Sequence, residues 1–126
     1  MHPRCIIPHK GVLRGRRDEV DITCLRGDLL LLIECKDRVS GCLRPNRHGE
    51  SDIEKLARIR VSWGYSGLRD MLKRNYFEPF PDGGRVALGI AACVLDGVVP
   101  TEYSVLLVSP PSAIVQQRGE LPNDVS

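Results

Sequence analysis

Short apolar runs separated by turn residues characterise the first part of the chain and predict β-strands. Residues 12–24 suit a strand, which includes the good strand formers Ile22 and Thr23. Residues 26–28, with the sequence Arg-Gly-Asp, have the composition of a tight turn. Residues 29–34 are apolar up to a final glutamate and lead into charged residues, which is typical of a buried strand. The pattern therefore predicts a β-hairpin.

A long helix is predicted after the hairpin. Ser51 or Asp52 can cap its start, and Glu54 or Lys55 is expected on its solvent-facing side. The helix is expected to end near residue 75, with a kink at Gly64 or Gly67. Its apolar positions, which recur mostly every three or four residues, are Ile53, Leu56, Ile59, Leu68, Met71 and Leu72.

The remaining segments complete an α/β pattern. Residues 39–50 are rich in Gly, Pro, Asn and Ser and predict an exposed loop, and residues 76–84 form a Pro/Gly connection. Residues 85–95 and 103–108 are apolar runs that predict two further strands, and residues 112–117 suit a short helix or strand. We therefore expect an α/β domain with a mixed central β-sheet flanked by helices.

Composition indicates one globular domain. The chain has 126 residues, of which 42% are apolar and 27% charged, and this suffices for a single core. Residues 1–10 and 118–126 lack periodicity and are expected to be poorly ordered. No apolar run approaches the roughly 20 residues that cross a bilayer, and no signal-peptide pattern opens the chain. We therefore expect a cytoplasmic protein that does not bind membranes.

The cysteines and histidines carry no metal-binding pattern. Five cysteines occur without a CxxC spacing, so neither a zinc module nor a disulfide framework is indicated, and a single disulfide from Cys5 or Cys42 stays open. The three histidines are equally scattered. Most of the cysteines are expected to be small buried residues.

The positive charge is concentrated in the first half of the chain. Residues 1–60 carry 13 Lys and Arg against 9 Asp and Glu, and residues 61–126 carry 5 against 7. Arginine outnumbers lysine 14 to 4, which suits bidentate phosphate contacts but has equal standing as a bias of genome composition. Six arginines lie shortly before Asp21 or shortly after Glu34, and we consider them for phosphate contacts with DNA: Arg14, Arg16, Arg17, Arg38, Arg44 and Arg47. A solvated surface is the equally weighted alternative for them.

Two acidic residues on the predicted hairpin suggest a metal site. Side chains alternate along a strand, so Glu34 and Lys36 project on one side and Cys35 on the other, and pairing brings Asp21 beside them. Two carboxylates and the backbone carbonyl of Cys35 suit Mg²⁺ or Mn²⁺. Lys36 would act on the attacking water and on phosphate charge. An isolated Glu-x-Lys is usually an exposed pair, but the acid, the glycine turn and the apolar strand together are more specific.

Residues 15–38 (GRRDEVDITCLRGDLLLLIECKDR) resemble the PD-(D/E)xK nuclease superfamily, within it the archaeal Holliday junction resolvase and restriction-endonuclease-like branch. The resemblance implies a restriction-endonuclease-like core, metal-dependent cleavage of duplex or branched DNA, and a homodimer. It gives metal-binding and catalytic roles to Asp21, Glu34 and Lys36. The family also has an acidic residue on a helix before the hairpin, whereas this chain has none before Asp18. Three explanations stay open: that helix is absent, the true start of the chain lies upstream, or Glu19 substitutes for the missing acidic residue.

Three functions follow from these observations. The first is a Mg²⁺-dependent endonuclease of the restriction or junction-resolvase type. The second is a catalytically degenerate nuclease-fold module that binds nucleic acid or a protein partner, and the missing acidic residue favours it. The third is a structural subunit of an oligomer, based on the apolar run at residues 86–95.

Overall fold

The computed structural model describes residues 1–10, 15–76 and 78–108. They form a mixed α/β fold with one five-stranded sheet and two helices, which confirms the predicted fold class at this level. In chain order the elements are β1 (His2–Pro8), β2 (Arg17–Arg26), β3 (Leu29–Arg38), α1 (Val39–Leu43), α2 (Asp52–Asn75), β4 (Arg85–Val94) and β5 (Tyr103–Leu107).

The strands lie in the sheet in the order in which they occur along the chain. The first three form an antiparallel meander, and the predicted hairpin is its β2–β3 part, with Arg26 opposite Leu29. β4 pairs with β3 in parallel, and β5 pairs with β4 in parallel. A parallel neighbour requires a crossover connection, and α2 provides it between β3 and β4.

One face of the sheet packs against α2 to form the core. Alternation along the strands places Leu30 and Leu32 of β3 on this face beside Leu88 and Ile90 of β4, and all four are buried. The helix contributes the buried apolar residues Ile53, Leu56, Ile59, Leu68 and Leu72. Glu34, the next inward residue of β3, therefore enters the same layer as the core.

Helix α2 begins and bends where the sequence predicted. The Ser51 hydroxyl accepts a hydrogen bond from the Glu54 N–H, and the Glu54 carboxylate accepts one from the Ser51 N–H, so a capping box closes the first turn. The kink lies at Gly64, whose φ of 64° is a left-handed conformation that glycine adopts readily. The predicted helix and its kink are thus confirmed.

Residues 1–10 contribute strand β1, where poor order was expected. The strand forms one edge of the sheet and buries Cys5 and Ile7. Prolines at both ends of this segment disguised it, and an edge strand tolerates them because one side of it makes no backbone hydrogen bonds.

Residues 39–50 are not entirely loop. Residues 39–43 form the short helix α1, which buries Val39 and Cys42. Asp96 stabilises its start by accepting hydrogen bonds from the backbone N–H and the hydroxyl of Ser40, at 2.8 and 2.7 Å. The segments at 112–117 and 118–126 lie outside the described residues.

Within the described ranges, no helix is long and apolar enough to span a membrane. All five cysteines are free thiols. Cys5 and Cys42 are buried, as expected, whereas Cys35 is exposed. A disulfide from Cys5 or Cys42 is absent from this structure.

Candidate active site

The site forms where β2 and β3 stop pairing. Their pairing runs from Arg26 opposite Leu29 to Ile22 opposite Ile33, and Asp21 is the next residue of β2. Its carboxylate accepts a hydrogen bond from the backbone N–H of Cys35 at 2.9 Å. A side chain thus takes the place of the next backbone contact, which fixes the Asp21 carboxylate against β3.

An irregularity in β2 turns Asp21 toward Glu34. Val20 and Thr23 are both fully buried although they are three residues apart, so the alternation of side chains shifts between them. On the neighbouring strand β1, Arg4 adopts a positive φ of 53° at the same level of the sheet. This shift places Asp21 close enough to interact with Glu34, while Glu19 stays on the outer face.

Glu34 is a buried acid that faces a lysine of the helix. Its side chain is 4% exposed, and Lys55 Nζ lies 2.7 Å from its Oε1. The contact is an ion pair when Glu34 is ionised. This buried oxygen therefore already has a positively charged neighbour, and a second cation would have to compete with it.

Burial and the neighbouring acid change the protonation of Glu34. Burial raises the pKa of Glu34 to about 8, the Asp21 carboxylate adds to the rise, and the Lys55 ammonium opposes it. Glu34 therefore retains a proton near neutral pH unless another positive charge reaches the pair. A group of this kind in a site with a specific charge partner is a candidate for function.

Lys36 projects on the same side of β3 as Glu34 but pairs with a different acid. Lys36 Nζ lies 3.4 Å from Asp52 Oδ2, on the first turn of α2, and its side chain is 46% exposed. The Asp52 carboxylate raises the pKa of Lys36 above its ordinary value. Burial, with Asp52 nearby, raises the pKa of the Cys42 thiol to about 12, so this cysteine stays protonated.

The structure brings some of the predicted site residues together and leaves others apart. Asp21 and Glu34 interact directly, whereas Lys36 lies on the same side of β3 but contacts Asp52. Cys35 lies between Glu34 and Lys36 with its side chain on the outer face. Glu19 does not join them, because its side chain forms an ion pair with Arg4 at 3.1 Å. Only the backbone carbonyl of Glu19 reaches the site, where it accepts a hydrogen bond from Lys55 at 2.8 Å.

Five of the six predicted DNA-binding arginines lie in the described part of the chain, and all five are exposed. Arg16 precedes β2 and Arg17 begins it, Arg38 ends β3, and Arg44 and Arg47 follow α1. Arg14 lies outside the described residues. Arg38 also lies 3.7 Å from Asp96. We refer to these five exposed arginines as the basic rim.

Sequence reasoning did not assign Lys55 to the site, because it expected Glu54 or Lys55 on the solvent side of the helix. Its side chain is only 19% exposed and turns toward the sheet. The sequence did contain a signal, since Lys55 directly precedes the core residue Leu56 and lies between Ile53 and Ile59. A lysine at such a boundary position can direct its amine to a buried acid.

A second charged network was also missed. Arg58 donates two hydrogen bonds to the Asp18 carboxylate, at 2.9 and 3.0 Å, and two to the Glu50 carboxylate, at 2.7 and 2.9 Å. His9 Nε2 lies 3.1 Å from Asp18. Burial favours a higher pKa for Asp18, but Arg58 and His9 outweigh it and lower that pKa. This network joins β2 to α2.

Comparisons with known proteins give no relative. No protein-family model, curated protein or solved structure matches the chain. Among the described residues, no group of three or more His, Cys, Asp and Glu side chains is arranged to hold a metal ion. The class that the structure defines is therefore a mixed α/β protein with a two-carboxylate site.

Proposed function

We propose that this protein is a metal-dependent endonuclease that hydrolyses DNA phosphodiester bonds and has a restriction-endonuclease-like core. The observation that carries the proposal is the Asp21–Glu34 carboxylate pair, in which the Glu34 side chain is buried. The order of three antiparallel strands, a helix and a parallel strand agrees with the resemblance of residues 15–38 to PD-(D/E)xK nucleases.

The residues at the site fit a divalent cation such as Mg²⁺ or Mn²⁺. Mg²⁺ prefers oxygen ligands, binds proteins through few carboxylates and keeps several waters. Asp21 and Glu34 would supply the carboxylates, and the backbone carbonyl of Cys35 would complete the set. When bound, the metal supplies charge stabilisation to the phosphate and makes water a better nucleophile.

Lys36 would serve the phosphate and the attacking water. Its Nζ lies 3.4 Å from Asp52 Oδ2, and its own side chain is 46% exposed, so water can solvate the ammonium when it leaves Asp52. From the strand end beside Glu34, its ammonium would offset the negative charge that develops on the phosphate. We assign this role to Lys36. Asp52 is the acid that Lys36 contacts when no phosphate is bound.

The basic rim would hold the DNA backbone. Exposed guanidinium groups at Arg16, Arg17, Arg44 and Arg47 suit phosphate contacts, which fix position without reading sequence. Each phosphate contact that is lost should reduce the slope of log K against log salt by about 0.9. DNA-binding titrations of Arg16→Ala/Arg17→Ala at several salt concentrations measure this slope, and an unchanged slope would remove these residues from the interface.

The central test combines metal binding and cleavage. Mn²⁺ is titrated by calorimetry into wild type and Glu34→Ala, and both are incubated with supercoiled plasmid and a four-way junction. We expect wild type to bind Mn²⁺ and cleave DNA, and Glu34→Ala to do neither. Lys36→Ala should bind DNA but not cleave it, whereas Lys73→Ala, which changes an exposed lysine of the last turn of α2, should behave as wild type. Cleavage at the wild-type rate by Lys36→Ala would refute the mechanism.

A second candidate is a nuclease-fold module that binds nucleic acid or a partner without cleavage. The pair lacks a third acidic ligand in the described ranges, and Glu19 faces away from it. A wild-type chain that binds DNA but neither Mn²⁺ nor Mg²⁺ at millimolar concentration would select this function. The proposed homodimer is tested separately by light scattering, since cutting two strands commonly requires two copies of a nuclease domain.

A further inference from the structure

Lys55 is the cation nearest the carboxylate pair. Within the described part of the chain, it alone places a charged nitrogen within 4.0 Å of Glu34 or Asp21. Lys36, the lysine that the sequence motif indicates, lies against Asp52 instead. The charge of the pair is therefore balanced from the helix and not from β3.

The position of the Lys55 ammonium is fixed by two contacts. It lies 2.7 Å from Glu34 Oε1 and donates a hydrogen bond to the Glu19 carbonyl at 2.8 Å. Its side chain is 19% exposed, against 46% for Lys36. A lysine held in this way exchanges its partner only when something stronger competes for Glu34.

We propose that Lys55 is a resident counter-ion that a divalent cation must displace from Glu34, so that Lys55 sets the metal affinity of the site. This inference rests on the proposed function. The contact uses the carboxylate oxygen Glu34 Oε1, and an ammonium and a metal ion repel each other at one oxygen. A divalent cation supplies the pair with two positive charges where Lys55 supplies one.

Calorimetric titration of Mn²⁺ tests the proposal on wild type, Lys55→Gln, Lys55→Arg and Lys36→Gln. The titrations are made at pH 8.5 in two buffers of different ionisation enthalpy, so that the release of a proton from Glu34 is measured and subtracted from the binding of the metal. We expect Lys55→Gln to bind Mn²⁺ at least tenfold more tightly than wild type and Lys55→Arg to bind within about threefold of it. Lys36→Gln removes the same charge from the other lysine and should change the affinity less than Lys55→Gln. If wild type binds Mn²⁺ and Lys55→Gln binds it equally well or more weakly, this inference is wrong and the proposed function is unaffected.

A measurement on the wild-type chain does not depend on the folding of a variant. The chain has four lysines, Lys10, Lys36, Lys55 and Lys73, so reductive methylation can be followed at each of them by mass spectrometry. We expect Mn²⁺ to increase the methylation rate of Lys55 and to leave that of Lys73 unchanged. An unchanged rate at Lys55 in the presence of bound Mn²⁺ overturns the inference. Absence of Mn²⁺ binding by both wild type and Lys55→Gln overturns the proposed function with it.

Discussion

The stability of this protein should depend on pH through Glu34, and Glu34→Gln should remove that dependence. The pKa of Glu34 is raised to about 8 by burial and by Asp21, against 4.5 for an ordinary glutamate. Glutamine has a similar size and no proton to lose in this range. The charged or titratable groups that interact with Glu34 are Asp21, Cys35, Lys36, Cys42 and Lys55.

The direction of the pH effect on stability depends on whether the folded or the unfolded state retains the proton on Glu34. Between pH 4.5 and 8 the folded chain holds a proton on Glu34 that the unfolded chain releases. The stabilisation is fully present below pH 4.5 and is lost as pH rises through 8. A shift of this size corresponds to at most about 5 kcal/mol at 1.36 kcal/mol per pKa unit, a large share of the roughly 5–15 kcal/mol that stabilises a domain. The lowered pKa of Asp18 acts below pH 3.8, outside this window.

Urea unfolding followed by the fluorescence of Trp63, the single tryptophan, measures the effect at intervals from pH 5 to pH 8.5 in the presence of a chelator. The free energy of wild type minus that of Glu34→Gln should fall by at least about 2 kcal/mol across this range. Subtraction removes the contribution of histidines common to both chains. Glu102→Gln, which changes a carboxylate that is 53% exposed, should give a constant difference. Parallel profiles for wild type and Glu34→Gln would refute the assignment of a raised pKa to this residue.

Three further predictions concern the fold and are measured as changes in the free energy of unfolding. Ser51→Ala removes the helix cap and should lower stability by about 1 kcal/mol, with Ser51→Asn close to wild type. Gly84→Ala should lower it by more than about 2 kcal/mol, because a Cβ there would lie 2.5 Å from the Tyr65 ring; Gly83→Ala, which meets open space, is the control. Arg58→Met leaves buried Asp18 without its bidentate partner and should cost about 3 kcal/mol at pH 7 and less at pH 3, and a loss independent of pH would contradict this account.

Local sequence patterns were sufficient to predict the elements that depend only on residues close together in the chain. The glycine turn and the apolar run beyond it gave the β2–β3 hairpin, and strand alternation placed Glu34 and Lys36 on one side. A Ser-x-x-Glu capping signal preceded the long helix, and a glycine produced its kink. These features depend on neighbours within a few residues, so the sequence contains them directly.

Features that depend on contacts between distant segments could not be predicted in the same way. Regular alternation would put Glu19 and Asp21 on one face, but the shift between Val20 and Thr23 separates them. That shift accompanies the unusual backbone of Arg4 on the neighbouring strand β1, a strand that the sequence analysis did not anticipate. The direction of the Asp21 side chain therefore depends on a segment that pattern reasoning left out.

The position of Lys55 shows that the charge balance of the site depends on helix α2. β2 and β3 alone would bring two carboxylates together, and their mutual repulsion would favour protonation or separation. Helix α2 supplies the opposing charge, and the packing of Leu56 next to it, which is fully buried, fixes where that charge lies. The same helix begins at Asp52, which holds Lys36 away from the pair. One rigid element thus assigns a different acid to each lysine, and a cation entering between Asp21 and Glu34 would compete with Lys55 while leaving Lys36 free to meet a phosphate.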